Sequence, residues 1–223
     1  MTEPFPFNRP PLKPFKINSI FPSPLYIAQR ETPLSPEEKI YIDNIETQDT
    51  PHPENRHKTG ISLESYILND NESLAILKEF CELHVKIYVN QIIMPKYDLD
   101  FYITQSWINK TKPHESQNYH DHPNSIISGI FCVHSVKNDC IGFHDPYYTF
   151  KNPIDIQEKE HNPWNHDIWN FPVNDNDLFL FPSWLEHSVS TNPEATTDRI
   201  SLAFNVHAKG RFGEADRKNE LFI

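Results

Sequence analysis

The chain has 223 residues, a formal net charge of −11 and 37% hydrophobic content with fifteen Phe and nine Tyr, enough apolar material for a folded core of useful size. The acidic balance repels nucleic-acid backbone and anionic membrane, no Lys/Arg cluster reverses it locally, and no span reaches transmembrane length. Three cysteines (Cys81, Cys132, Cys140), an odd number without metal-finger spacing, come after a Pro-studded start with no apolar signal segment, which points to a reducing cytoplasm and leaves a small molecule or a neutral-to-basic peptide as the easier partner.

Eleven of the twenty prolines precede residue 54. Such density opposes helix and interior strand, so residues 1–60 read as an extended arm and loops laid over a core built by 61–223. One short run, Leu25 to Ala28, is expected to add an edge strand. From Leu74 the apolar residues Leu74, Leu77, Cys81, Val85, Tyr88 and Ile92 recur at spacings of three and four, which predicts an amphipathic helix over 71–93 with Asn71 as N-cap.

After Pro95 the pattern changes to short strands: Phe101–Asn109, Ser125–Val136, Ile141–His144, Asp177–Phe181 and Arg199–His207, separated by Pro, Asn, Asp or Gly. This predicts a mainly β (α+β) jelly roll with the helix on one face. The stretch 151–176 is too long for a plain connection and reads as a lid. In the last strand, Ile200, Leu202, Phe204 and Val206 alternate with Arg199, Ser201, Ala203, Asn205 and His207. The first set suits the helix; the second suits a ligand-holding cavity.

Chemistry concentrates around Tyr119-His120-Asp121-His122-Pro123. On an extended strand His120 and His122 share a face and can ligate one metal ion. With twelve histidines in the chain such a pair arises easily by chance, so the weight falls on two features of the last third: His187 after a strand-like run, and Arg199 twelve residues later with Ser201 two beyond it. Asn109 and Asn205 are amide candidates for the same pocket, and Trp107 for its wall.

Five segments carry a family resemblance: Ser106-Trp107-Ile108-Asn109, HDHPNSIISGIF at 120–131, GFHDP at 142–146, LFLFPSWLEHSV at 178–189 and RISLAFN at 199–205. In that order and spacing the chain resembles the iron(II)/2-oxoglutarate-dependent oxygenase superfamily, and more narrowly a 2-oxoglutarate oxygenase group common in marine phages and bacteria. The N-terminal FPSPLYI is similar to that group's first strand. The resemblance implies a double-stranded β-helix, cupin-like in architecture, with Fe(II), 2-oxoglutarate and O2 as cofactor and cosubstrates. In the superfamily a His-x-carboxylate pair and a distal His bind iron, and a later Arg with a Ser or Thr two residues on grips the cosubstrate's far carboxylate. His120, His187, Arg199 and Ser201 match those positions. The carboxylate position holds His122 instead, with Asp121 between the histidines. Strand parity favours three imidazole ligands, His120, His122 and His187, while a bulge would leave Asp121 open as the third.

Two rival readings stay open at this level: a cupin-like three-histidine metalloenzyme that does not use 2-oxoglutarate, and a non-catalytic jelly-roll binding module. His144 and Asp145, beside Pro146, read as a turn. Cys132 and Cys140 read as small packing residues. The sequence ranks no hydroxylation substrate and no oligomeric state.

Overall fold

The computed structural model describes residues 17–49, 59–154, 156–162, 164–217 and 219–221. Along the chain these form β1 (Tyr26–Gln29), α1 (Pro36–Asn44), β2 (Thr47–Asp49), β3 (Gly60–Ser62), α2 (Ile67–Asp70), α3 (Ala75–Tyr88), β4 (Asp100–Thr111), β5 (Gln117–His120), β6 (Ile127–His134), β7 (Cys140–His144), α4 (Tyr148–Lys151), β8 (Ile168–Pro172), β9 (Asp177–Pro182), β10 (His187–Val189), β11 (Arg199–Phe212) and β12 (Asn219–Leu221). Two antiparallel sheets result. The larger runs β1-β9-β6-β11-β4-β3-β2 with β12 added to the far end of β11, and the smaller runs β5-β10-β7-β8. This is the jelly-roll arrangement expected from the short strands.

The larger sheet separates two environments. Its outer face carries Ile108, Phe131, Leu178, Leu180, Leu202, Phe204 and Val206, in one buried cluster with Leu74, Leu77, Cys81, Val85 and Tyr88 of the helical segment. The expected stripe therefore does cover the alternate residues of the last strand. Its final member differs: the last turn, Val89–Ile93, is π-helical, and Val89 is buried while Ile92 turns outward. The π turn breaks the 3.6-residue period, and Ile93 is exposed as well, so the buried stripe ends at Val89. Gly129 lies directly across from Phe204, and a Cβ at position 129 would sit 2.1 Å from that ring. Only a bare backbone leaves room for the far end of the Phe204 ring against β6.

The inner face meets the smaller sheet through Ile130, Cys132, Phe179 and Phe181 on one side and Ile141 and Phe143 on the other. At one end of this interior the apolar side chains give way to the polar face of β11.

The N-terminal expectation needs correction. Residues 1–16 and 50–58 of the proposed arm lie outside the described residues. Within 17–49, β1 pairs with β9 as the expected edge strand, but residues 36–44 form a helix that proline density argues against. Pro36 occupies the first turn, where its missing N–H costs nothing, and Ser35 and Glu38 close a reciprocal capping box. Glu38 is also buried against Arg30 at 3.1 Å, tying the helix to the end of β1. Likewise, the stretch expected to be a lid contributes β8, which pairs with β7 along its whole length.

Candidate metal centre

His120 is the last residue of β5 and lies directly opposite His187, the first of β10. Directly paired residues project to the same side of a sheet, and here the ring centroids are 4.3 Å apart. His122 arrives by another route than strand parity, because β5 ends at His120. Its backbone N–H donates to the Ser183 carbonyl at 2.9 Å, and its ring centroid lies 5.3 Å from His120 and 5.1 Å from His187. One nitrogen from each of the three rings falls within 4.8 Å of the others, near enough to converge on one cation. Asp121, the alternative third ligand, is exposed and outside this cluster.

Each ring has its Nδ1 committed elsewhere. The carbonyl of Asn118 lies 2.9 Å from Nδ1 of His120, and that of Leu185 lies 3.3 Å from Nδ1 of His187. A carbonyl only accepts, so both Nδ1 atoms carry the proton and both Nε2 lone pairs are free. His122 Nδ1 faces Asn205 Oδ1 at 2.7 Å. Such partners orient metal-binding imidazoles and fix their tautomer. Burial, followed by the nearby His120 and His122, holds His187 well below the usual imidazole range. His122 is also lowered, chiefly by burial and against the opposing effect of the Asn205 hydrogen bond. Trp107 closes one side, its ring centroid 5.5 Å from that of His122.

The remaining candidates line the same inner face. Arg199 and Ser201 alternate along β11, and Ser201 pairs with Asn109 across β4. Arg199 is 5% exposed and donates from Nε to both carboxylate oxygens of Asp139, at 2.9 and 3.1 Å. Its Nη1 reaches Ser201 Oγ at 3.4 Å, while Nη2 is buried with no partner, as is Oδ1 of Asn109. A buried guanidinium nitrogen left unpaired is costly. An anionic ligand on this inner face would relieve it, and a half-turn of the Asn109 amide would present Nδ2–H to the same ligand. The donor set and the two orphaned atoms therefore fit a divalent metal with a carboxylate-bearing cosubstrate.

Asn205 is better described as the hydrogen-bond partner of His122 than as a contact for an incoming ligand. Sequence reading missed Asp139, which sits in an irregular loop sixty residues before its arginine. Cys132 lies on the same face, paired with Ser201, but it belongs to the buried apolar cluster and burial pushes its thiol up to about 12, so it packs as a neutral group. His144, at the end of β7, meets Ser188 Oγ at 2.9 Å and is not part of the triad. Next to His187, sharing Phe143 and Leu185 with its surroundings, a cleft of about 510 Å³ opens between Leu25, Trp164, Trp169 and Trp184. None of the three imidazoles lines it.

Comparison with known proteins agrees with this geometry. Residues 105–205 match the family described as "Putative 2OG-Fe(II) oxygenase", and over this stretch the chain resembles the iron(II)/2-oxoglutarate-dependent oxygenase superfamily. The matched stretch contains the three histidines, Arg199, Ser201, Asn109, Asn205 and Asp139. No curated protein matches the chain. Among solved structures, it resembles an oxidoreductase of the 2OG-Fe(II) oxygenase family from Burkholderia pseudomallei, with 12% identity over 82% of this chain and 84% of that one and a TM-score of 0.54. It also resembles HygX from Streptomyces hygroscopicus, solved with nickel, 2-oxoglutarate and hygromycin B bound, with 11% identity over 82% of each chain and a TM-score of 0.53. A third is the α-ketoglutarate-dependent carbocyclase SnoK of nogalamycin biosynthesis, with 14% identity over 84% and 81% and a TM-score of 0.53. At these identities the likeness establishes the double-stranded β-helix fold. The narrower attribution to a marine phage and bacterial group has no support among these matches.

Proposed function

We propose that this chain is an Fe(II)/2-oxoglutarate-dependent dioxygenase that couples decarboxylation of 2-oxoglutarate to hydroxylation of a second substrate, with its catalytic residues all within 61–223 and β1, α1 and β2 completing the same domain. The observation that carries the reading is the pairing of three imidazoles on one centre with the unpartnered Nη2 of Arg199 on the same inner face. His120, His122 and His187 would hold the metal through Nε2. Arg199 and Ser201 would hold the far carboxylate of the cosubstrate, with Asp139 keeping the guanidinium turned so that its Nη edge faces the interior. Asn109 would add one amide donor, and Trp107 shields the His122 side from water. Iron, when bound, supplies the redox chemistry that activates dioxygen; the chain's part is to orient the partners and exclude solvent.

Three neutral ligands leave the full double charge of the ion to attract a dianion, where a carboxylate ligand would offset part of it. The cleft next to His187 has the size of a small-molecule site, with aromatic walls interrupted by polar groups such as Asp145, Lys151 and Asp167, which supports a small-molecule substrate over a peptide. HygX, with hygromycin B bound, is a neighbour of the same fold that takes such a molecule. Unpaired thiols at Cys81, Cys132 and Cys140 support a reducing cytoplasm. Among the described residues no helix is long and apolar enough to cross a membrane.

The test is an anaerobic thermal-shift titration with ferrous ion followed by 2-oxoglutarate. Ligand at a hundred times its dissociation constant should stabilise the fold by about 2.7 kcal/mol, so each addition should raise the melting temperature. Arg199→Ala should keep the response to metal and lose the response to 2-oxoglutarate. No response of the wild-type chain to either addition overturns the proposal.

A further inference from the structure

Three serines that no family role absorbs run in a line behind His122. Ser128 Oγ lies 3.1 Å from His122 Nδ1, Ser183 Oγ lies 2.9 Å from Ser128 Oγ, and Ser125 Oγ lies 2.9 Å from Ser183 Oγ. The line ends where Ser125 Oγ meets the carbonyls of Ile127 and Val206, at 3.0 and 3.2 Å. Ser128 and Ser183 are essentially without solvent contact, so water does not complete their hydrogen bonding.

The direction of this line is set by its end. Carbonyl oxygens only accept, so the single hydroxyl proton of Ser125 goes to one of them, and Ser125 Oγ can only accept from Ser183. The Ser183 proton is thereby spent on Ser125, and Ser128 must donate to Ser183. Ser128 Oγ then has no proton left for the imidazole and can only accept from it. Asn205, directly across from Ser128 between β11 and β6, aims its own acceptor, Oδ1, at the same nitrogen. Both groups at Nδ1 thus demand a proton there, and the lone pair is forced onto Nε2, the nitrogen facing His120 and His187.

We propose that Ser125, Ser183 and Ser128, with Asn205, are positioning residues that lock His122 in its Nδ1–H tautomer and so equip a histidine to serve where the superfamily has a carboxylate. The proposal rests on reading the triad as a metal site. It also explains why Ser183 contributes twice, since its backbone carbonyl accepts the His122 N–H while its hydroxyl orders the chain behind the ring. Deleting the middle hydroxyl would free Ser128 to turn its proton towards Nδ1 and admit the other tautomer.

The experiment uses the metal-free full chain labelled with ¹⁵N at histidine, read by two-bond proton–nitrogen correlation at a pH where the ring is uncharged, with the His122 signals assigned by their loss in His122→Gln. Wild type should show Nδ1–H at His122. Ser183→Ala should show a population with Nε2–H and bind cobalt(II), titrated alone, about tenfold more weakly, as expected for loss of a partner behind a metal-binding imidazole. Ser183→Thr, which keeps the hydroxyl, should restore both. An Nε2–H ring in the wild type overturns the proposal, as does a Ser183→Ala chain with unchanged tautomer and unchanged cobalt affinity. Should Ser183→Ala not fold, the wild-type tautomer decides by itself. A wild-type chain that takes no cobalt at all sinks the metal reading instead, while the tautomer still judges the serine chain.

Discussion

The two faces of β11 bury comparable numbers of residues by different physics. On the outer face Leu202, Phe204 and Val206 lie in one apolar cluster with α3, held by non-directional area that tolerates exchange of similar volumes. On the inner face Arg199, Ser201 and Asn205 are also buried, but each stays buried only because a specific atom meets it: Asp139, the guanidinium itself, or His122. The contrast teaches that stability is distributed on one side of the strand and site-specific on the other.

Emptying the outer face should have the largest effect. Phe204→Ala removes a fully buried ring from the cluster and should cost about 3–5 kcal/mol of stability in denaturant unfolding, while metal affinity of the folded fraction stays within about twofold, as expected for sites that share no partners. Cobalt binding that collapses along with stability would show that the faces are not independent. On the inner face, Asp139→Asn should cost about 3 kcal/mol, the low end for breaking a buried ion pair, since the amide keeps one acceptor for Arg199. Its deficit relative to wild type should change when metal and 2-oxoglutarate are both present, whereas the Phe204→Ala deficit should not. Equal deficits with and without ligands would count against Asp139 and the cosubstrate sharing the guanidinium.

The smallest effect is a pH dependence. Buried His187 and His122 have lowered values in the folded chain, against about 6.5 when unfolded. Above that value they are neutral in both states and contribute no slope. As pH falls below about 6.5 the unfolded chain takes up protons that the folded chain refuses, so stability declines, and the loss continues until the folded-state values are passed. Replacing His187 with Gln should flatten this acid limb in melting experiments. An unchanged limb would place the acid sensitivity elsewhere.

How far the sequence discloses all this depends on whether a feature is local or relational. The alternation along 199–207 and the spacing along 74–88 are local, and both faces of β11 and the stripe of α3 are readable from them. The triad is readable because motif order and spacing stand in for proximity. By contrast β5 and β8 are short and carry Gln, Asn and Pro, and β10 has only three residues, so none shows strand periodicity; pairing with their neighbours makes them strands. The capping box at Ser35 and Glu38 is present in the sequence, but the surrounding prolines mask it. Asp139, Ser128 and Ser183 acquire meaning only once chain closure brings them against Arg199 and His122.

The ion pair between Arg199 and Asp139 has one more consequence. Because the guanidinium is already balanced on this inner face, admitting a dication alone, or a dicarboxylate alone, would leave uncompensated charge in a poorly polarisable interior. Admitted together, the two restore electroneutrality. Each guest should therefore lower the electrostatic penalty of the other, and occupancy by the pair becomes cooperative without any change in the shape of the protein.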